Sequence, residues 1–334
     1  MTTGGGGASF SSTINSEAND AGSASAARGL TIANTDGAVS VTGAIGAGSN
    51  GTLGALVIGT AEADGNTGNI TLSNSIGSDS AAGAASISIG NSRTGTLALA
   101  GADYNSTGSQ MFESDDFDLS GTAITFTSAN GGGTDTIDFL DGAGGQIILA
   151  DGSNLTINSG GAAVTIKPSI GGTTGGTSED VVINAGSGTI SLDYAGVAIG
   201  GGHIGHVDLT GGTINLNGGI TTTSTASDGS TTTEIDINGA VVLEANTTIT
   251  SNGGNLDFNT TINSDATARN LTITTGAGSV GIGGNIGGTT TTDLAAIKIN
   301  ETAGTGAITL SGNIGTTSVF GATTIEIGNA NTSS

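Results

Sequence analysis

The stretch that decides the fold is GSVGIGGNIG at residues 278–287, which recurs as GAITLSGNIG at residues 306–315. In both copies two aliphatic residues alternate with one other residue, and a single Ile follows the pair after three residues. A second alternating pair follows each copy, at residues 297–299 and 325–327, and ends thirteen residues after the single Ile. Alternation places aliphatic side chains on one face of a strand. The stretch therefore predicts one turn of a coil built from short strands.

The same unit occurs near the start of the chain as GAVSVTGAIG at residues 37–46 and GNITLSNSIG at residues 68–77. Self-similarity at a fixed period of this size is typical of stacked-repeat proteins. We therefore predict an all-β parallel β-helix, or β-solenoid, of about ten coils with roughly 24–31 residues and three strands per coil. Right-handed connections are expected, as in other parallel sheets. The Gly that opens each unit is expected to supply a positive φ at a corner.

The pattern assigns the chain to three segments. Residues 1–27 are rich in Gly, Ser and Ala and predict a flexible N-terminal arm, with docking onto a neighbouring subunit as the functional alternative to a disordered leader. Residues 28–328 predict a single β-solenoid domain. The pattern lapses at about 101–121, which predicts a loop excursion on the side of the coil. Residues 329–334 form a C-terminal tail.

Composition and charge exclude several classes of function. The chain has 63 Gly, no Cys, no Trp and a net charge of −23, with only five Lys and Arg residues in 334. Nucleic acid is excluded as a partner because almost nothing could neutralise phosphates. Membrane insertion is not expected, because no apolar run approaches the ~20 residues of a span. The basic residues are scattered along the chain, so no catalytic constellation of carboxylates and cations is visible and no enzymatic activity is expected.

Two groups of residues are candidate metal sites, and no other cofactor is expected. The densest acidic cluster offers hard oxygen ligands for calcium, with a solvated acidic loop as the alternative: Glu113, Asp115, Asp116 and Asp118. Both histidines of the chain lie in one Gly-rich turn next to an Asp and suggest a transition-metal site, with a plain surface turn as the favoured alternative: His203, His206 and Asp208.

The repeated segments at residues 37–46, 68–77, 278–287 and 306–315 resemble the β-strand repeats of very large secreted bacterial surface proteins, the filamentous-haemagglutinin-type adhesins. The resemblance covers most of residues 28–328. It implies a parallel β-helix, export from the cell and a structural or adhesive role. The expected location is therefore extracellular or on the cell surface.

These observations lead to two functional expectations. The first is a structural subunit of an extracellular filament, sheath or adhesive surface layer, in which copies of the chain join head to tail through open solenoid ends. The expected assembly residues are Phe10, Ile14, Ile325 and Ile327. The second is a module that binds glycans or degrades polysaccharides. Its sugar platform beside the coil would be formed by Tyr104, Phe112 and Phe117.

Overall fold

A computed structural model of the chain shows an all-β fold. It describes residues 2–3, 6–16, 27–34, 37–47, 51–59, 68–78, 81–129, 133–141, 144–173, 179–200, 203–223, 233–288, 293–300, 304–315 and 321–329. Over these residues the fold is a parallel β-solenoid of about ten turns without helices, which confirms the predicted fold class. The chain divides into two compact units, where the sequence predicted one domain: Met1–Pro168 (unit 1) and Ser169–Ser334 (unit 2).

Unit 1 contains eighteen strands within the described residues. They are β1 (Thr2–Thr3), β2 (Ala8–Phe10), β3 (Leu30–Asn34), β4 (Val39–Val41), β5 (Leu53–Ile58), β6 (Ile70–Leu72), β7 (Gly77–Ser78), β8 (Ala81–Ala82), β9 (Ala84–Gly90), β10 (Thr96–Leu99), β11 (Asp103–Ser106), β12 (Gln110–Glu113), β13 (Asp116–Leu119), β14 (Ala123–Ser128), β15 (Ile137–Leu140), β16 (Gln146–Leu149), β17 (Asn154–Asn158) and β18 (Val164–Ile166).

The strands of unit 1 stack in parallel on three faces, so each turn places one strand or one bridging residue on each face. The first face stacks β2, β4, β6, β10, β13 and β16. The second begins with bridges between Ile14, Ile45 and Ile76 and continues through β11, β14 and β17. The third stacks β1, β3, β5, β9, β12, β15 and β18. An antiparallel pair, β7 with β8, lies outside this stack.

Unit 2 contains thirteen strands within the described residues. They are β19 (Ser169–Gly172), β20 (Glu179–Asn184), β21 (Thr189–Ile199), β22 (Ile204–Thr221), β23 (Thr233–Leu243), β24 (Thr247–Thr250), β25 (Asn255–Phe258), β26 (Ile262–Ser264), β27 (Asn270–Thr274), β28 (Val280–Ile282), β29 (Leu294–Ile299), β30 (Ile308–Leu310) and β31 (Ala322–Ile327).

Unit 2 also has three parallel faces, and its long strands cross from one face to the next at register shifts. The first face stacks β20, the starts of β22 and β23, β25, β28 and β30. The second stacks the start of β21, the middle of β22, the end of β23 and β26, and then the bridges at Ile286 and Ile314. The third stacks β19, the ends of β21 and β22, and then β24, β27, β29 and β31.

The length of a turn follows from which residues pair. Val39 pairs with Ile70, and Leu256 pairs with Val280. These two separations along the chain are the upper and the lower end of the range that the sequence predicts. One turn of unit 1 is shorter still, and it runs from Leu97 in β10 to the residue that pairs with it in β13. The short turn lies where the sequence pattern lapsed.

The interior of the solenoid is filled by the alternating aliphatic residues. In β17, Leu155 and Ile157 are fully buried, whereas Thr156 between them is partly exposed. Fully burying one such side chain stabilises the fold by about 1.5 to 3 kcal/mol relative to leaving it exposed. The gain comes from contacts between neighbouring turns, so no single turn would be stable alone.

The glycines of the repeat unit serve two different purposes. Gly278 and Gly306 open their units but do not have positive φ, so the predicted reason for them is wrong. A Cβ on either would lie 1.8 Å from a backbone oxygen of the preceding turn, on Gly254 or Gly278 respectively. Gly287 and Gly315, which close the units, do have positive φ, of 63° and 80°. The opening glycine therefore permits close stacking, and the closing glycine makes the turn.

The structure differs from the predicted segments at two places. Within the predicted arm, residues 8–10 form a strand paired with residues 39–41, and Ile14 forms a bridge with Ile45. Residues 17–26 of that arm lie outside the described residues, as do residues 330–334 of the predicted tail. The predicted excursion at 101–121 is instead three strands, β11 to β13, stacked in the solenoid. Because this turn is shorter than the others, the alternating residues of its strands do not fall at the spacing of the repeat unit.

Candidate functional site

The four acidic residues predicted to bind calcium lie along one turn of unit 1. Glu113 ends β12 and Asp115 lies in the following connection. Asp116 and Asp118 are exposed on the outer side of β13, on either side of the buried Phe117. In the part of the chain that the structure describes, no three His, Cys, Asp or Glu side chains are placed to hold a metal ion together. The calcium site stays a prediction without support from the geometry.

The two histidines lie beside acidic residues of unit 2. His206 pairs with Asp180 on the neighbouring parallel strand, and the backbone oxygen of His203 accepts a hydrogen bond from the backbone N of Glu179 at 2.9 Å. Glu179 is fully buried. Its carboxylate occupies the space that a side chain at Gly172 would need, because Oε2 would lie 2.0 Å from a Cβ there. The buried carboxylate of Glu179 therefore packs against Gly172. Among the described residues no third metal ligand joins the two histidines.

An acidic column on the first face of unit 2 was missed by sequence reasoning. Asp208 pairs with Asp236, which pairs with Asp257 on the following turn. Asn259 Nδ2 donates to Asp236 Oδ1 at 2.9 Å, and Thr210 Oγ1 donates to Asp208 Oδ1 at 3.2 Å. The sequence does contain a pattern that predicts this column: an Asp stands between two apolar residues at 207–209, 235–237 and 256–258. The column makes this face repel other acidic surfaces.

A second charged group lies at a corner of unit 2. Arg269 binds Asp265 through two hydrogen bonds, of 3.0 Å from Nε and 2.7 Å from Nη2. The hydrogen bond from Arg269 lowers the pKa of Asp265 below its usual value. Burial, and then the neighbouring carboxylates of Asp193 and Asp265, raise the pKa of Glu244 above its usual value. Arg269 offsets only part of this effect, so the corner responds to pH.

The predicted sugar platform is wrong, because its three aromatic side chains lie in the interior of unit 1. Tyr104, Phe112 and Phe117 are all fully buried. The ring of Tyr104 stacks on that of Phe126 with centroids 4.8 Å apart, and the ring of Phe112 stacks on that of Phe139 at 5.2 Å. Each of these residues occupies an inward position of its strand. Aromatic side chains therefore fill the core here and are not available to a glycan.

Buried polar groups hold the turn that contains these rings. Tyr104 Oη accepts a hydrogen bond from the backbone N of Gly101 at 3.0 Å, and burial raises the pKa of Tyr104 far above its ordinary value. Gln110 is also fully buried. Its Nε2 donates to the backbone oxygens of Tyr104 and Thr127 at 2.8 and 2.7 Å. These two hydrogen bonds reach β11 and β14, so the Nε2 group of Gln110 links neighbouring turns from within, whereas its buried Oε1 has no hydrogen-bond partner among the described residues.

The last described turn of unit 2 exposes aliphatic side chains that are buried in earlier turns. β31 pairs with β29, and no other pairing of β31 occurs among the described strands. Ile325 and Ile327 are 48% and 38% exposed, whereas their partners Ile297 and Ile299 are fully buried. Glu326, which lies between the two Ile residues, pairs with a lysine of β29 at 2.7 Å. We call β31, with its unpaired side, the open edge of unit 2.

The first described turn of unit 1 has a second open edge, formed by β2 and Ile14. Phe10 and Ile14 are partly exposed, whereas their partners Val41 and Ile45 are 1% exposed. β2 pairs with β4 and with no other described strand. The four predicted assembly residues thus divide between two edges, two on each, and all four are more exposed than their paired neighbours.

Fold and edges together define a repeat protein of the parallel β-solenoid class, in which the stacked turns of each unit share an apolar interior. Comparisons with protein-family models, with curated proteins and with solved structures found no match to this chain. Within the described residues the structure has no helix with the length and apolar character that a membrane span requires.

Proposed function

We propose that the chain is a structural subunit of an extracellular filament, sheath or adhesive surface layer, and that its copies join head to tail through their open edges. The exposure of Ile325 and Ile327 on the open edge of unit 2 carries the proposal. An unpaired strand edge that presents aliphatic side chains is a template for pairing with another strand. Burying these side chains would remove apolar surface from water.

The surface charge supports the use of the edges for contact. With a net charge of −23, two copies repel each other over most of their surfaces. The acidic column of unit 2 strengthens that repulsion along one outer face. Residues 6–16, which include the open edge of unit 1, contain no Asp or Glu. The one carboxylate of β31 is paired with Lys298. The edges are therefore places where acidic copies can approach closely.

The extracellular location and the adhesive role rest on the resemblance of the repeats to those of secreted filamentous-haemagglutinin-type surface proteins. The parallel β-solenoid supports that resemblance at the level of fold class. No observation favours the alternative of a glycan-binding or polysaccharide-degrading module, since the aromatic residues assigned to it are buried.

Negative-stain electron microscopy of the purified chain over a range of concentrations tests the proposal. We expect filaments, with fewer of them in the Ile325→Asn variant, which places a polar group in the apolar column. The Thr324→Asn variant is the matched control, because Thr324 is already exposed on the same strand. Single particles at every concentration, or filaments that Ile325→Asn leaves unchanged, would contradict the proposal.

A further inference from the structure

The hydrogen-bonding groups of the open edge of unit 2 follow from its pairing with β29. The backbone N of Gly328 donates to the backbone oxygen of Ile299 at 2.8 Å, so Gly328 faces β29. Alternate residues of a parallel strand direct their N–H and C=O groups to opposite sides. Glu326 therefore faces β29 as well. The N–H and C=O groups of Ile325 and Ile327 point to the unpaired side.

The open edge of unit 1 has backbone N–H and C=O groups that can pair with those of the open edge of unit 2. The backbone N of Ala8 donates to Ala38, and the backbone oxygen of Phe10 accepts from Thr42, both at 2.9 Å. Ala8 and Phe10 therefore direct their backbone groups into the solenoid. By the same alternation the backbone groups of Ser9 point to the unpaired side. The side chains of Ala8 and Phe10 point inward, above the column that β4 continues.

We propose that the open edge of unit 2 binds the open edge of unit 1 of a second copy in one register, with Ile325 opposite Ala8, Glu326 opposite Ser9 and Ile327 opposite Phe10. In this register the backbone N–H and C=O groups of Ile325 and Ile327 meet those of Gly7, Ser9 and Ser11, the alternate residues that face the unpaired side. It also aligns inward side chains with inward side chains, as the pairing of β29 with β31 does within the chain. The inference rests on the proposed head-to-tail assembly and specifies its contact.

The register is selected by the period of two residues along a strand. A shift by one residue would set Ser9, whose side chain points outward, opposite Ile325 or Ile327, so inward residues of one edge would lie against outward residues of the other. A shift by two residues would leave either Ile325 or Ile327 without an inward partner in β2. The contact is heterologous, because it joins two different edges, and such contacts generate open filaments or closed rings.

A pair of engineered cysteines tests the register, because the chain has no Cys of its own. Opposite residues of neighbouring parallel strands are about 4.8 Å apart, which lies within the Cα separation that a disulfide allows. The variant Ser9→Cys/Glu326→Cys is therefore expected to form covalent multimers on mild oxidation, seen as a ladder on a non-reducing gel. In the control Ser9→Cys/Thr324→Cys the two positions would be about 8 Å apart, beyond that limit.

The outcomes separate the register from the proposed function. Filaments that form under reducing conditions in both double variants, with cross-linking in the first alone, are the expected result. Filaments with no cross-linking in the first variant, or with equal cross-linking in the control, would overturn the register and leave head-to-tail assembly standing. The single variant Glu326→Cys has a Cys only on the open edge of unit 2. If it forms covalent dimers in the same yield as Ser9→Cys/Glu326→Cys, two copies of that same edge meet each other, and the register is overturned. An absence of both filaments and multimers would overturn the assembly itself.

Discussion

Truncating the two exposed isoleucines of β31 gives the most quantitative test of assembly. Ile325 and Ile327 are 48% and 38% exposed, so docking would bury somewhat less than half of each side chain. Burying a whole Ile is worth about 1.5 to 3 kcal/mol, and the double variant Ile325→Ala/Ile327→Ala should therefore weaken docking by about 1 to 2 kcal/mol. That corresponds to a roughly 5- to 30-fold rise in the concentration at which assembly begins.

Static light scattering at constant salt measures this concentration. Thr324→Ala is the matched control, because Thr324 lies on the same strand with its side chain exposed, and we expect it to leave the value unchanged. Thermal unfolding of both variants shows whether the solenoid itself is intact. The reasoning is refuted if the double variant assembles at the concentration of the unchanged chain, or if Thr324→Ala shifts that concentration as much as the double variant does.

Three further changes test the interior and the charged corner. Phe126→Leu should lower the free energy of unfolding in urea by about 1 to 3 kcal/mol, and by more than Phe258→Leu. Phe126 packs on three aromatic rings, whereas Phe258 has no aromatic neighbour within the described residues. Gly278→Ala should lower the melting temperature measured by circular dichroism, because its Cβ would meet a backbone oxygen of the preceding turn at 1.8 Å. Glu244→Gln should melt at a higher temperature than the unchanged chain at pH 7, and the difference should disappear by pH 4.

The pH dependence of the last variant follows from the direction of the pKa shift. Because the pKa of Glu244 is raised in the folded chain, protonated Glu244 favours folding. That stability is fully present below the ordinary pKa of Glu, about 4.3, and is lost as the pH rises through the raised value. Gln stays neutral at every pH, so its advantage is confined to the higher pH. The same difference between variant and unchanged chain at pH 4 and pH 7 would contradict this account.

Most of the fold could be predicted because equivalent positions of successive repeat units lie next to each other in the structure, so the spacing of the units gives the length of a turn. Ile282 and Leu310 fall at the same position of their units because they stack on each other. The region around Tyr104 could not be found in this way. The turn from β10 to β13 is shorter than the predicted range, and large rings replace the aliphatic pairs. A search that expects constant spacing mistakes such a turn for a loop.

The candidate site was predictable only in part. Exposure of Ile325 and Ile327 could be expected from their place in the last recognisable unit. The direction of the backbone N–H and C=O groups at the two edges could not be predicted, because it depends on which residues of β2 and β31 face the neighbouring strand. The aromatic residues were assigned to a surface because a lapse in the pattern suggested a loop. In the strand of Phe112, inward and outward positions alternate, and the inward ones are buried.

Fibre diffraction from aligned, pelleted assemblies tests most directly whether the turns of one copy continue those of the next. Strands that stack in parallel along the filament give a reflection at about 4.8 Å along the filament axis. The account predicts this reflection for the unchanged chain and the same reflection for the cross-linked variant Ser9→Cys/Glu326→Cys. Filaments whose reflection at about 4.8 Å lies across the axis would contradict it, as would a chain that yields no filaments at all.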